Sequence, residues 1–144
     1  MLGDCMSELK ALMARIIDEL FNRGDFDVFD ELISDDFVEH EALPPGVPQG
    51  KAAPREMITM MRAAFPDFLV TVEDMLQDGS KVVTRSRFAG THEGEFMGIP
   101  ATGKRFDVPV IDIIEFRGDK AVAHWGVMDN ATMMEQLGVA GPSS

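Results

Sequence analysis

Tyrosine is absent from this 144-residue chain, cysteine and tryptophan occur once each, and 13 Lys and Arg stand against 25 Asp and Glu. Each shortage excludes something. Without tyrosine, no phenol can serve as an acid or an oxyanion donor. The lone Cys5 rules out a disulfide within the chain and leaves no Cys/His spacing for zinc. It fits a reducing compartment. A formal net charge of −12 repels phosphate backbones, so nucleic acid is not an expected partner. No apolar run approaches the length of a membrane span. The opening MLGDCMSELK has neither a basic region nor an apolar core, so no signal peptide is expected and the chain is read as cytoplasmic. A P-loop, a dinucleotide glycine fingerprint and a nucleophile elbow are all missing.

Hydrophobic residues make up 45% of the chain, and its length suits one domain over 1–144, with flexible tails expected at 1–6 and 139–144. Apolar spacing predicts a helix over 7–22, with Ser7 as N-cap and Gly24 as stop, and a second helix over 25–33 capped by Asp25. DDFVEHE, 35–41, reads as a strand, and ALPPGVPQG, 42–50, as a loop. A third helix is expected over 52–64. Strands follow over 68–77, 81–94, 105–116 and 121–129, joined by the turns DGS and RGDK and by the loop 95–104, before a last helix, ATMMEQLG. Helices first and antiparallel strands after make an α+β pattern, with helices on one face of a curved sheet. The concave space that the helices leave unfilled is a natural pocket, lined by alternate residues of the later strands.

Alternation assigns the faces. Val122, His124, Gly126 and Met128 share one face of the last strand; Ala123, Trp125, Val127 and Asp129 share the other. On the long strand, Val108, Val110, Asp112 and Ile114 go together. Asp112 interrupts the apolar run VPVIDIIEF, where a charge is costly unless paired or solvated. His124 on the neighbouring strand is its expected partner. Such a pair serves equally as a buried structural hydrogen bond or as an acid/base couple. His92 and His40 end strands, at the rim where functional groups collect. The three histidines lie on separate strands with no compact ligand spacing, so no metal is expected. Met97 and Met128 are expected to line the pocket, with Phe88 beside them.

Three stretches, FNRGDFDVFDELISDDFVEHE, AAFPDFLVTVEDMLQDGSKVVTRSRFAGTHEGEFMGIPATGKRF and HWGVMDNATMMEQLG, together resemble the SnoaL-like polyketide cyclases, also called predicted ester cyclases. The resemblance covers about residues 8–138. It rests on FPD, GTHEGEFMGIP, the HW pair and the terminal QLG taken in order. It implies the nuclear transport factor 2-like (cystatin-like) cone: helices packed on a strongly curved antiparallel sheet enclosing a pocket. It also implies cofactor-free chemistry, ring closure by intramolecular aldol condensation, and a homodimer paired through the outer face of the sheet. The family's catalytic aspartate falls two places after His124, where this chain has Gly126, and a second pocket histidine of the family falls at Asp112.

Three functions fit. The first is a cyclase or isomerase acting on a small apolar or aromatic carbonyl compound. Asp112 would be the base, His124 its orienting partner and His92 the donor to the enolate. His40, Phe88, Met97, Trp125 and Met128 would contact substrate, and Asp129 would join them where the strand bends. The second is a cofactor-independent hydroxylase or hydrolase in the same pocket. The third is a non-catalytic small-molecule-binding protein.

Overall fold

The computed structural model describes residues 2–139. Met1 and residues 140–144 of the expected tails lie outside the described residues. The first helix, α1 (Leu2–Arg15), runs on as a π-helical segment over Ile16–Asn22. Ser7 therefore lies inside the helix, five residues after its start at Leu2, and is not its cap. Gly24 ends the helical stretch as expected, at φ +65°. A side chain there would also strike the Arg62 guanidinium, whose Nε lies 2.5 Å from the Cβ position. The reason is that Arg62 donates to the carbonyls of Phe21 and Asn22, at 3.0 and 2.7 Å. Those carbonyls belong to the helix end, where the ladder supplies no partners.

Asp25 caps a 3₁₀ turn, Phe26–Val28, which leads into α2 (Phe29–Leu32). Strand β1 (Ile33–Glu39) then starts two residues earlier than the expected 35. After it come α3 (Ala52–Ala64), β2 (Leu69–Asp78), β3 (Lys81–Thr91), β4 (Arg105–Arg117), β5 (Lys120–Met128) and α4 (Asn130–Leu137). β3 stops at Thr91, short of the expected 94, because His92 turns away to clamp the loop that follows.

The sheet is open, in the order β1-β5-β4-β3-β2. Its last four strands are antiparallel as expected, but β1 lies parallel to β5. Helix α3 separates β1 from the hairpins, so β1 reaches the far edge by a crossover, which permits a parallel pair. Three of the four ladders carry register shifts, the kind of irregularity that bends a sheet. Alternate residues of β3 (Val82, Thr84, Ser86, Phe88) are buried toward the helices. After α3, Phe65 packs on Phe96 and Phe106, at ring centroid distances of 5.2 and 4.8 Å. Gly90 makes this possible, since a Cβ there would sit 2.7 Å from that of Phe65. Among the described residues, no helix is long and apolar enough to cross a membrane.

Candidate active site

Between the sheet and the helices lies a pocket that is apolar except at one end. The π-helical segment contributes Leu20 and Phe21, α3 contributes Met57 and Met61, and the sheet contributes Phe88 and Met128. The polar end consists of Glu39, Glu41, Asp112 and His124.

The sheet register explains how these four meet. Glu39 is opposite His124 across the parallel β1–β5 pair, while Asp112 is opposite Gly126 across β4–β5. Asp112 therefore reaches His124 diagonally, over the glycine. A Cβ at Gly126 would lie 2.7 Å from Asp112 Oδ1, 2.7 Å from Glu41 Oε1 and 2.8 Å from His124 Cε1. Any side chain there would displace the cluster.

His124 Nε2 is 2.7 Å from Asp112 Oδ1, and Nδ1 is 2.5 Å from Glu39 Oε2. Burial lowers the affinity of this imidazole for a proton, but its hydrogen bonds to Asp112 and Glu39 outweigh that and raise its pKa to about 10. The ring is thus an imidazolium at neutral pH, and both N–H groups donate to carboxylates. Glu39 is held in turn. Gln49 Oε1 accepts from the Glu39 backbone N–H at 2.8 Å, and Gln49 Nε2 donates to the Glu39 carbonyl at 3.0 Å. Glu41 Oε1 lies 4.0 Å from His124 Nδ1, with its side chain 36% exposed. Burial pushes the Glu41 carboxyl above its ordinary value; the His124 charge opposes this, and Asp112 and Glu39 add to it.

Glu39, Glu41 and His124 could each offer one ligand atom to a cation, all within 4.8 Å of one another. A protonated imidazole has no lone pair to give a metal, so the cluster as it stands is an ion-pair network.

Of the residues expected from sequence, Asp112, His124, Phe88 and Met128 line the pocket. The others lie elsewhere, each for a local reason. His92 is fully buried beside Phe65, with Nδ1 3.0 Å from Thr102 Oγ1. Its backbone N–H donates to Lys104 O, so it fastens the ends of the 92–104 loop, and it is not among the residues that line the pocket. His40 and Trp125 stack on each other on the outer face, with ring centroids 4.6 Å apart. Met97 stands at φ +50° on a loop, 54% exposed. Asp129 caps α4 and accepts from the Thr132 N–H at 3.0 Å, outside the pocket lining. The residues that sequence reasoning missed are Glu39 and Glu41. The period of two in FVEHE carried the signal: Phe37, Glu39 and Glu41 share one face, and His40 takes the other.

The family model for SnoaL-like polyketide cyclases matches residues 11–137. Nogalonic acid methyl ester cyclase of Streptomyces nogalater is 27% identical over 119 residues, 82% of this chain and 89% of its own. IdmH of Streptomyces antibioticus, described as a candidate polyketide cyclase, is 36% identical with a TM-score of 0.79, over 91% of this chain and 99% of its own. AclR of Streptomyces galilaeus, described as a candidate hydroxylase, is 28% identical with a TM-score of 0.79, over 92% of this chain and 81% of its own.

Proposed function

The chain belongs to the SnoaL-like polyketide cyclases, and from that membership we propose that it closes or isomerises a small apolar carbonyl compound by acid/base chemistry of its own side chains. One observation carries the reading: a carboxylate–imidazolium–carboxylate line, Asp112–His124–Glu39, at the polar end of an otherwise apolar pocket. Asp112 is the general base that takes the proton beside a substrate carbonyl. His124 holds the Asp112 carboxylate in place and balances its charge where little water can, and Glu39 holds the imidazolium from the other side. The apolar walls receive flat rings. Among the described residues no Lys or Arg lines the pocket, and the His124 imidazolium is already paired with two carboxylates, so a free carboxylate on the substrate would find no unpaired cation. A neutral ketone or ester is the class that fits. The nogalonic acid methyl ester cyclase relative supports that class by name.

The test needs no natural substrate. The chain should accelerate exchange of the α-protons of 2-tetralone, a neutral aromatic-fused ketone, in heavy water followed by NMR. Asp112→Asn should slow that exchange by roughly 100-fold or more with the thermal melt preserved. Unchanged exchange would remove Asp112 from the mechanism. The similarity to AclR favours a second reading, hydroxylation in the same pocket. Oxygen uptake coupled to turnover would select it over the cyclase.

Outside the sheet, Leu76, Val83, Ile113 and Trp125 form one continuous row across four strands, with Ile111 paired to Val127 beside it. We assign this face to a second copy of the chain. A cytoplasmic location goes with a chain in which Cys5 has no cysteine to pair with.

A further inference from the structure

We infer that Glu41 is a second catalytic carboxyl, whose O–H donates to the carbonyl oxygen of the compound that Asp112 deprotonates. The inference deepens the acid/base reading above and rests on it. Three observations place Glu41 in that role.

The first is position. Glu41 Oε1 and Asp112 Oδ1 each lie 2.7 Å from the empty Cβ position of Gly126, so they are no more than twice that distance, 5.4 Å, apart. They flank the same glycine on the pocket side. A carbonyl group and its α-carbon placed over Gly126 would meet one carboxyl each.

The second is availability. His124 cannot donate to substrate, because Asp112 and Glu39 hold both of its N–H groups. His92 lies outside the pocket. Among the described residues, no hydrogen-bond donor engages the Glu41 side chain. Its backbone is fixed instead, since the Glu41 N–H donates to Glu39 Oε2 at 3.1 Å.

The third is charge. The groups facing Glu41 are Glu39 from β1, Asp112 from β4 and His124 from β5, and α3 brings only apolar side chains to the pocket. Three carboxyls share one cation. Asp112 and Glu39 each accept from the imidazolium, which leaves Glu41 as the carboxyl without a hydrogen-bonded counter-charge. Burial raises its pKa, and the charges of Asp112 and Glu39 add to this against the opposing charge of His124. A carboxyl raised in this way is suited to act as the acid beside a neighbouring base.

The step balances. Asp112 takes the α-proton, and the C–H pair becomes the C=C bond of the enol. The carbonyl π pair takes the Glu41 proton, leaving Glu41 ionised. When the enol carbon attacks a second carbonyl of the same molecule, the enol proton returns to Glu41. The new alkoxide oxygen takes the proton from Asp112. Both carboxyls end as they began.

The experiment compares the full-length chain with Glu41→Ala and Glu41→Gln in the 2-tetralone exchange assay, with melting curves to confirm folding. Removing the donor in Glu41→Ala should slow exchange by roughly 100-fold. Glu41→Gln, which keeps an N–H donor but no acid, should lose roughly 10-fold and lack the alkaline fall of the wild-type pH profile. Carbon-13 spectra of glutamate-labelled protein should show the Glu41 carboxyl titrating above the exposed carboxyls. Exchange within about twofold of wild type in Glu41→Ala, or a Glu41 carboxyl that ionises with the exposed ones, overturns the inference and leaves the Asp112 base intact. Absence of exchange in the wild-type chain overturns the aldol reading itself.

Discussion

The hydrogen atom that stands for a side chain at Gly126 is what lets three acidic groups and one histidine converge. Asp112 has no residue to cross on its diagonal to His124, and Glu41 closes in from the other side. The histidine so enclosed sets a stability trend with pH. Its folded pKa, about 10, lies above the ordinary value of 6.5. Proton binding therefore favours the folded chain. That contribution is fully present below pH 6.5 and is lost as pH rises toward 10. The raised Glu41 acts with the same sign from lower pH, since its protonated form too is favoured by folding. Urea midpoints measured across this range should fall as pH rises. His124→Gln should flatten the slope above neutrality, and a variant with the same slope as wild type would show that the imidazolium contributes nothing to it.

Strand β1 has no hairpin to hold its end and joins the sheet at an edge, through β5 only. Its last residue, Glu39, carries one end of the His124 line, so the strand end must be fastened. Gln49 does this from the loop before α3: its Oε1 accepts from the N–H groups of both Glu39 and Gly50, and its Nε2 donates to Glu39 O. Gln49→Ala leaves a buried N–H and C=O of Glu39 without those partners. We expect a loss of about 1–3 kcal/mol in urea unfolding, with slower α-proton exchange, and a stability equal to wild type would show that water replaces the amide at no cost. The π-helical Ile16–Asn22 segment has a comparable positioning task, presenting Leu20 and Phe21 to the pocket while Arg62 covers its terminal carbonyls.

Among the described residues, the outer face of the sheet exposes a cluster of apolar side chains beside charged ones. Leu76 is 64% exposed, Val127 74% and Ile111 50%, in adjacent rows of the outer sheet. Contiguous apolar surface of this kind marks an interface, and self-association through one face would be two-fold. Sedimentation at micromolar concentration should give a dimer. Ile111→Glu with Val127→Glu should give a folded monomer, because two buried like charges per protomer would face their copies across the axis. A wild-type monomer at that concentration, or a double variant that still dimerises, would remove this face from the assembly.

Much of this was legible in the residues. The apolar periods gave away the helices, and the turn residues marked the hairpins. Mid-strand Asp112 announced a partner because an unpaired carboxylate in an apolar strand is costly, and parity put His124 on the same side. Those inferences need only local geometry. Parity also contains the outward direction of Trp125 and His40. Other features are not local. That β1 lies beside β5 and not beside its neighbours in sequence follows from a crossover, and only the folded sheet brings Glu39 and Glu41 within reach of His124. His92 is drawn from the rim by the loop it clamps, through bonds to Thr102 and Lys104 that no strand pattern encodes. Periodicity along the chain says which side of its own strand a residue takes. Which strand lies next to it depends on long-range pairing, and the charge state of every group in this cluster depends on those neighbours.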